Sequence, residues 1–445
     1  MLDYRGNPLS VCNSGALLSR RQLLRFAGAS VAAALPSASR ALQTEGPKSR
    51  EALLDEVERR ACRYFYECAH PATGLVLDRV RIEGRETRRT ASIAATGFGL
   101  SALCIADKRG YLPRGQAQER AERTLEFLAR RAYRKKGFYY HFIDAETGKR
   151  DLDCEISSVD TTWLLCGVIH ARQHFNTPQI ARLANEIVSR VEWDWMWAGG
   201  PTLCHGWTPE RNFLPYRWDR YCELLAMYLL AIGSAMHPIP LSAWDAWQRP
   251  MRYAESGDIF IASAAPLFAH QYSHAWLDFR NRWDGYTDYF RNSRLATLKH
   301  RDFCISLRDR FPWFGENMWG ITACDSRHGY TDWGGAETEF NAQIDGTLAP
   351  CASGGSLVFL PDECGRVLET MLERYGKKVW NQYGYVDAFQ PAANWWSPDV
   401  IGIDLGIVLI MAENLRSQSV WTAMMSAPEI KRGFDAVGFY DLTSS

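Results

Sequence analysis

The sequence lacks several features that would place it in a common functional class. Its 445 residues carry 51 basic and 51 acidic side chains, so the formal net charge is zero and neither nucleic acid nor an anionic membrane is indicated as a partner. There is no Gly-rich phosphate loop, no serine nucleophile elbow and no fixed-period repeat. The chain therefore offers no motif for phosphate binding or for a serine nucleophile.

The cysteine and histidine patterns give no sign of a disulfide framework or a metal centre. Twelve cysteines are present without a CxxC pair or zinc-finger spacing, and several lie in apolar helical runs, where a thiol behaves as a small hydrophobe. His270 and His274 have the i, i+4 spacing of a metal pair, but a third-ligand signal such as HExxH is missing. Sugar-hydroxyl binding or a hydrogen-bonded structural role is favoured for both histidines.

Residues 1–41 are predicted to be an export signal. Ser19–Arg25 reads SRRQLLR, a twin-arginine pattern, and the small-residue apolar stretch Phe26–Leu35 follows it. Ten apolar residues are too few to span a bilayer, and no second candidate span follows, so we expect no permanent membrane anchor. A chance Arg-Arg pair before an Ala-rich helix is the alternative. Residues 42–445 contain no Pro- or Ser-rich linker and are predicted to form a single periplasmic or secreted domain.

The hydrophobic pattern predicts about a dozen helices of two kinds, including Ser158–Phe175, Asp219–Ser234 and Leu241–Ala254. Gln116–Tyr133 is amphipathic, whereas Thr161–Ala171, Tyr221–Ala235 and Leu405–Ala412 are apolar on almost every side. Because a helix that is apolar all round is normally buried, the alternation indicates an inner layer of helices surrounded by an outer one. We predict an all-α fold, an α/α barrel of about six helical hairpins. A helical solenoid is the alternative, although it would more often show a sequence period.

Long aromatic-rich loops interrupt these helices. They cover Asp194–Arg217, Phe311–Pro361 and Gly376–Ile403, and they carry nine of the 17 tryptophans. Loops of this length inside a compact domain are usually functional. Aromatic rings gathered on loops at one end of a barrel would make a sugar-binding cleft.

Three acidic residues lie at the beginnings of the three apolar helices: Asp160, Glu223 and Asp404. If those helix N-termini lie at one end of the barrel, the acids converge on one pocket. For two of these acids, Asp160 and Asp404, a structural role is at least as well supported by the sequence as a catalytic one. Asp160 has capping-box spacing to Ser157, and Asp404 immediately precedes an apolar run, as an N-cap would.

Glu223 is poorly explained as a cap. Asp219 would already cap the predicted helix Asp219–Ser234, so Glu223 lies a full turn inside it. A buried salt bridge to Arg217 or Arg220 is one interpretation. The other is an acid in an apolar pocket, where a raised pKa makes a proton donor near neutral pH. Paired carboxylates in an aromatic cleft then indicate glycoside hydrolysis, in which one acid protonates the leaving oxygen and another activates water or attacks carbon.

The region from about Ser157 to Asn414 resembles the glycoamylase-like domain, whose characterised members include bacterial endo-β-1,2-glucanases of glycoside hydrolase family 144. The matching blocks are SSVDTTWLL, YRWDRYCELLAMYLLAIGSAMHPIP, PLFAHQYSHAWLDFR, WGITACDSRHGY, DGTLAPCASGGSLVFLP, YGYVDAF and GIDLGIVLIMAENLR. The resemblance implies an (α/α)6 barrel, hydrolysis of a neutral β-1,2-linked glucan with inversion, and no metal or organic cofactor.

The acidic motif positions of that family fall on Asp160, Glu223 and Asp404. Glu223 is expected to be the general acid, with Asp404 or Asp160 positioning or activating the attacking water. By the same resemblance, further side chains would line the sugar subsites: His270, Gln271, His274, Trp319, Asp325, Tyr330, Asp345, Trp395 and Trp396. The chain departs from its relatives at Cys222, where Asn or Ser is common, and at Ile407, where Pro is common.

Two other functions fit the same barrel. One is a non-catalytic sugar-binding protein, which would be protected by ligand without releasing reducing ends. The other is a polysaccharide lyase, which usually needs a Tyr or His base and an Arg or metal to neutralise a uronate. The neutral chain and its acid-dominated motifs argue against a lyase. Whether cleavage is internal or terminal depends on how the loops close over the cleft, which no sequence pattern predicts.

Overall fold

The computed structural model describes residues 49–254, 256–263, 265–333 and 344–442. The predicted export signal, 1–41, lies outside these residues, so the signal and the predicted localisation stay predictions. The described helices are α1 (Arg50–Glu67), α2 (Ile93–Arg109), α3 (Gln116–Arg130), α4 (Ser158–Phe175), α5 (Pro178–Ser189), α6 (Trp193–Trp197), α7 (Leu225–Ile232), α8 (Ser242–Ala246), α9 (Tyr272–Trp276), α10 (Tyr289–Ser306), α11 (Pro350–Gly354), α12 (Pro361–Tyr375), α13 (Gly402–Ser417), α14 (Ser419–Met425) and α15 (Pro428–Val437).

Short antiparallel strands and four 3₁₀ helices occupy the connections. The strands are β1 (Arg79–Arg81), β2 (Thr90–Ser92), β3 (Arg134–Lys135), β4 (Phe138–Tyr139), β5 (Phe142–Asp144), β6 (Ile156–Ser157), β7 (Gly206–Thr208), β8 (Asn212–Phe213), β9 (Met251–Tyr253), β10 (Ile259–Ile261), β11 (Arg282–Trp283), β12 (Ala323–Ser326), β13 (Gly329–Asp332), β14 (Trp380–Asn381), β15 (Gly384–Tyr385), β16 (Phe389–Gln390), β17 (Trp395–Trp396), β18 (Asp399–Ile401) and β19 (Tyr440–Asp441). The 3₁₀ helices are Leu267–His270, Leu307–Asp309, Gly376–Lys378 and Pro391–Ala393.

The helices form two concentric layers. The inner layer consists of α2, α4, α7, α9, α11 and α13, and these alternate along the chain with α1, α3, α5, α8, α10 and α12 outside. Nearly all side chains of α2, α4 and α13 are buried, whereas α3, α5 and α12 bury one face only. The inner helix α13 packs against α2, α9 and α11, and α15 covers α7 from outside. The predicted all-α, (α/α)6 architecture is confirmed.

Two glycines bring the backbones of α2 and α4 into direct contact. A Cβ atom added at Gly167 would lie 2.0 Å from the carbonyl oxygen of Gly97. One added at Gly97 would lie 2.2 Å from the carbonyl oxygen of Trp163. Neither α2 nor α4 can move away from the other without disrupting the packing of the inner layer. This glycine contact therefore fixes the distance between the two helices.

Strands lead directly into the N-terminal ends of three inner helices. β2 precedes α2, β6 precedes α4 and β18 precedes α13. Ser92 and Ser157 cap α2 and α4 through their hydroxyl groups. β18 pairs with β1, β2 with β5, and single bridges from Leu77 to Ala91 and from Tyr140 to Ile156 join these pairs into one band. The three N-termini therefore lie at the same end of the barrel, which is the condition for their acids to converge.

Two predicted helices begin or end differently in the structure. The prediction Asp219–Ser234 is wrong at its start, because the backbone at Asp219 and Tyr221 pairs with Gln248 and the helix α7 begins only at Leu225. Glu223 therefore precedes its helix, and Asp219 does not cap it. The predicted helix Leu241–Ala254 stops at Ala246, and a proline at position 250 precedes strand β9.

A contiguous cluster of buried apolar side chains extends from α1 to α15. All eleven cysteines of the described residues are free thiols, and all of them except Cys68 are buried. Within 49–442, apart from the gaps given above, no helix is both long and apolar enough to cross a membrane. The single domain 42–445 stays a prediction, as does the expectation of no permanent anchor.

Candidate active site

Glu223 lies in the turn that leads into α7, almost entirely buried. Its backbone carbonyl accepts a hydrogen bond of 2.8 Å from the hydroxyl of Ser273, and its carboxyl Oε2 has no hydrogen-bond partner among the described residues. Burial raises the pKa of Glu223 to about 7, and the negative charge of Asp160 acts in the same direction. Glu223 is therefore substantially protonated at neutral pH.

Neither nearby arginine neutralises Glu223. The guanidinium of Arg217 donates to the carbonyl oxygens of Trp197 and Thr202, at 3.0 Å and 2.5 Å. Arg220 donates to the side chain of Gln248 at 2.9 Å. The salt-bridge interpretation is thus replaced by that of an isolated buried acid.

Asp160, the third residue of α4, combines a capping contact with a chemical one. Its backbone N–H donates to the Ser157 hydroxyl at 3.1 Å, and that hydroxyl donates to Asp160 Oδ2 at 2.5 Å. On the other side His141 Nε2 lies 3.6 Å from Asp160 Oδ1, while His141 Nδ1 lies 3.2 Å from Glu155 Oε1. Burial raises the pKa of Asp160, and His141 and Ser157 oppose that rise.

The same three side chains could ligate a divalent cation. One ligand atom from each of His141, Glu155 and Asp160 lies within 4.8 Å of the others. However, each ring nitrogen of His141 already faces a different carboxylate. A cation would have to displace one of these contacts, so the arrangement is better described as a chain of polar contacts from Glu155 through His141 to Asp160.

Asp404, the third residue of α13, lies in a second group of acids. Its carboxyl group lies within hydrogen-bonding reach of that of Asp387, and the thiol of Cys351 also contacts it. Burial raises the pKa of Asp404 to about 6, against the opposing effect of these two contacts. Burial and the charges of Asp404 and Asp325 raise the pKa of Asp387 well above its ordinary range.

Arg79 of β1 binds the third acid of this group. Its Nη1 donates to Asp325 Oδ1 at 2.8 Å, and its Nε donates to Asp78 Oδ2 at 3.0 Å. The hydroxyl of Ser397 donates to Asp325 Oδ2 at 3.3 Å. Arg79 therefore pairs directly with Asp325 and Asp78, and its charge also acts to lower the pKa of Asp404.

Tyr272 lies between the two groups of acids. Its ring packs edge-on against Phe98 and Trp163. Burial is the largest cause that raises the pKa of Tyr272, and the charges of Asp404 and Glu223 add to the rise. Asp160, Glu223 and Asp404 each keep 7–9% of their surface exposed. We call the space that these acids and Tyr272 border the acid cleft.

Among the predicted sugar-contact residues, Asp325 and Tyr330 border the acid cleft. They pair across the hairpin of β12 and β13. The ring of Tyr330 is 44% exposed, yet burial of its hydroxyl and the charges of Asp404 and Asp387 raise its pKa. An exposed ring with an inward-pointing polar end is suited to a sugar contact.

Gln271 and His274 are not brought to the acid cleft. Gln271 Nε2 donates to the carbonyl of Ala352 at 2.8 Å and to Ser356 Oγ at 2.7 Å, which ties the start of α9 to α11. His274 Nε2 lies 3.0 Å from Ser293 Oγ, and the ring packs against Phe279, Phe290 and Phe359. Both side chains have structural contacts where the resemblance implied sugar contacts.

His270 and Trp319 are also enclosed. The ring of His270 lies 5.1 Å from that of Tyr221, and burial lowers its pKa to about 3, so it is neutral. Trp319 is completely buried, with its ring 6.4 Å from His300. His270 ends a 3₁₀ helix whereas His274 lies in α9, so the two residues do not share one regular helix face as their i, i+4 spacing assumed.

The hairpin of β16 and β17 carries the remaining predicted residues. The ring of Trp396 stacks on Phe389 at 5.3 Å, within the hairpin's packing. Trp395 points to the opposite face and is opposite Gln390, whose side chain donates to the carbonyl of Asp345 at 3.0 Å. Trp395 and Asp345 are partly exposed neighbours and stay candidates for a sugar contact.

Several residues of the site were missed by the sequence reasoning: Arg79, His141, Glu155, Tyr272 and Asp387. A usable signal existed for Asp387. It is the only charged residue of the apolar and aromatic segment YGYVDAF, and the same criterion selected Glu223. Arg79, His141 and Glu155 lie on short strands and turns, where no periodic pattern distinguishes an inward side chain from an outward one.

The raised pKa of Glu223 predicts a pH-dependent stability difference. Unfolded Glu223 releases its proton near the ordinary value of 4.5, whereas the folded residue keeps it to about 7. Between these values the stability due to the buried neutral acid is lost as pH rises, by about 3 kcal/mol in total. Glu223→Gln should therefore unfold at a higher temperature than the wild type near pH 8, with the difference vanishing towards pH 4.

Thermal unfolding at both pH values checks this, with Glu83→Gln as a control because Glu83 is exposed. If the unfolding temperatures of Glu223→Gln and the wild type differed by the same amount at both pH values, the buried, unpaired state of Glu223 would be contradicted.

The amino-acid sequence matches the Glycoamylase family model, described as “Putative glucoamylase”, over residues 215–428. This range contains Glu223, Asp387 and Asp404 but not Asp160. A crystal structure from Bacteroides fragilis NCTC 9343, described in the same words, is 30% identical with a TM-score of 0.80, and the alignment covers 92% of this chain and 100% of that one.

Two further relatives have named activities. An endo-β-1,2-glucanase from Chitinophaga pinensis, solved with sophorotriose and glucose, is 28% identical with a TM-score of 0.80, covering 88% of this chain and 99% of that one. An exo-β-1,2-glucooligosaccharide sophorohydrolase (non-reducing end) from Parabacteroides distasonis is 29% identical over 432 residues, which cover 88% of this chain. The chain spans only 59% of the length of that curated relative.

Fold and site together define the class, an (α/α)6-barrel protein with carboxyl groups gathered at the N-terminal ends of its inner helices. Within that class, the chain belongs to the Glycoamylase family. The resemblance inferred from the sequence motifs is confirmed.

Proposed function

We propose that this protein is a glycoside hydrolase that cleaves β-1,2-linked glucans with inversion. The observation that carries the proposal is the presence of two buried acids, Glu223 and Asp404, with pKa values of about 7 and about 6, whose charges both reach the hydroxyl of Tyr272. An inverting glycosidase needs such a pair, one acid protonated and the other ionised, with room for water between them. The named activities of the relatives from C. pinensis and P. distasonis support the linkage.

Each acid takes the role that its surroundings favour. Glu223, protonated at neutral pH, donates its proton to the glycosidic oxygen as the bond to the anomeric carbon breaks. Asp404 accepts a proton from the water that attacks that carbon from the opposite face. The charge of Asp160 helps to keep Glu223 protonated until substrate is bound. The hydroxyl of Tyr272 lies between the acids, where it can hydrogen-bond a sugar hydroxyl.

The charges of the site do not suit a lyase. A tyrosine base would need a lowered pKa, whereas the pKa values of Tyr272 and Tyr330 are both raised. The guanidinium of Arg79 is engaged by Asp78 and Asp325 and is not available to bind a uronate. Hydrolysis of a neutral glucan uses the same residues without an unpaired cation.

The proposal is tested by incubating the protein with linear and cyclic β-1,2-glucans, with β-1,3- and β-1,4-glucans as controls, and separating the products by chromatography. We expect new reducing ends from the β-1,2-linked substrates only, with the α-anomer formed first in proton NMR. Opening of the cyclic glucan would establish internal cleavage, and release of a single oligosaccharide from linear chains alone would establish terminal cleavage. Ultraviolet-absorbing products, or no products, would overturn the proposal.

A further inference from the structure

Asp387 and Asp404 form a carboxyl pair that has no direct ion pair with an arginine, lysine or histidine among the described residues. Asp387 is buried between β15 and β16, and one of its oxygens, Oδ2, accepts the backbone N–H of Asp325 at 2.7 Å. Asp387 Oδ1 and Asp404 Oδ2 are buried and have no N–H or O–H donor among the described residues. The two carboxyl groups are nevertheless within hydrogen-bonding reach of each other.

Such a contact is attractive only if the pair holds a proton. An ionised carboxylate can accept hydrogen bonds but cannot donate one, so two ionised groups at this distance repel. Arg79, which could stabilise a second negative charge, already binds Asp325 and Asp78. The pair must therefore share one proton over a range of pH.

The wall beside the pair is apolar and strengthens this requirement. A cavity of about 20 Å³, the size of a single water molecule, lies between α1 and α13 beside both carboxyl groups. Its other lining side chains include Val57, Leu405 and Val408. Such a wall cannot solvate two negative charges.

The two members of the pair have different surroundings. Asp404 lies at the N-terminal end of α13, where the helix dipole favours negative charge, and the thiol of Cys351 contacts it. Asp387 receives one backbone N–H and lies on no helix. The proton therefore belongs on Asp387, and the charge belongs on Asp404.

We propose that Asp387 is a positioning residue that stays protonated and donates a hydrogen bond to Asp404, which holds the ionised Asp404 ready to accept a proton from water. This inference rests on the proposed function, in which Asp404 is the base. The Asp387–Asp404 pair then becomes active when it releases the first of its two protons. It would lose activity again only if the second proton, on Asp387, were also released. The other titratable or charged groups that face the pair are Arg79, Asp325, Tyr330, Tyr272, Cys324 and Cys351.

Two substitutions of Asp387 distinguish the effect of its hydrogen-bond donor from the effect of a negative charge at this position. In Asp387→Asn, the amide can donate to Asp404 and accept from the Asp325 N–H, so we expect the acidic limb of kcat/KM against pH to stay within about half a unit of the wild type, with kcat within about tenfold. In Asp387→Ala, no donor remains. We then expect the acidic limb to move up by about one unit or more and kcat to fall by at least about tenfold beyond the asparagine variant.

Two results would overturn the inference. If Asp387 were ionised during catalysis, Asp387→Asn would remove a negative charge and move the acidic limb down by about one unit or more. If Asp387→Ala had the activity and pH profile of the asparagine variant, the donor would have no role.

Infrared spectroscopy tests the shared proton without relying on activity. A protonated-carboxyl band should persist in the wild-type protein at about pH 8.5, above the titration of Glu223, and Asp387→Asn should lack it. Absence of the band from the wild type at this pH contradicts the inference even if glucan is cleaved. If the band is present but no glucan is cleaved, the proposed function fails while the shared proton stands.

Discussion

Glu223→Gln is expected to lower kcat on β-1,2-linked glucan by about 10²–10⁴-fold while leaving the oligosaccharide affinity and the folded structure nearly unchanged. The amide has the shape of the protonated acid and can occupy the same apolar site, but it has no proton to give to the leaving oxygen. Among the described residues, Oε2 of the wild-type glutamate has no partner, so the substitution breaks no ion pair there. Initial rates give kcat, and calorimetry with a short oligosaccharide gives the affinity.

Cys222→Ser is the control for local disturbance. Cys222 adjoins Glu223 and is equally buried, and the substitution exchanges one sulfur atom for oxygen. We expect it to keep activity within about threefold of the wild type. Wild-type turnover by Glu223→Gln would remove Glu223 from the reaction and with it the assignment of the general acid.

Gly167→Ala is expected to destabilise the barrel by about 3 kcal/mol or more. The new methyl group would lie 2.0 Å from the carbonyl oxygen of Gly97, and the atom it meets belongs to a buried backbone and not to a flexible side chain. To accommodate it, α4 must move away from α2. Because Asp160 lies at the N-terminal end of α4, the movement should also lower activity in the protein that still folds.

Gly315→Ala provides the matched control, because a Cβ atom added there meets nothing within 4 Å. We expect it to change the free energy of unfolding by less than about 0.5 kcal/mol. Urea unfolding of both variants, followed by tryptophan fluorescence, gives the comparison. Equal midpoints would show that the two inner helices can separate without cost, contrary to the glycine contact in the fold.

Much of the fold was predictable because its inner helices are long and apolar. Residues 158–175 were predicted as one helix and form one. The error around Glu223 has a clear physical origin. The backbone of Asp219 and Tyr221 pairs with Gln248, and this tertiary contact keeps the segment from forming a helix. Helix propensity depends on local sequence and does not include such a contact.

The candidate site was predictable only where a residue was anomalous in its own segment. Glu223 stood out in an apolar run, and Asp160 and Asp404 stood out at helix beginnings. Gln271 and His274 could not be placed in this way. A motif position identifies the type of residue, but it does not show whether that residue binds a sugar hydroxyl or another side chain. In the structure Gln271 bonds Ser356 and His274 contacts Ser293. The sequence does not predict that Arg79 lies near these acids, because its position depends on the pairing of β1 with β18.

The pairing of β1 with β18 also determines when the molecule can become active. Arg79 and Asp404 are 325 residues apart in sequence, yet both belong to the place where the first strand meets the last inner helix. During synthesis the early helices can pack before α13 exists, since chains fold from their N-terminal end as they emerge. The second group of acids cannot assemble until α13 has been made, so a nascent chain that has not reached α13, or a variant shortened before it, lacks Asp404 and with it the base of the proposed reaction.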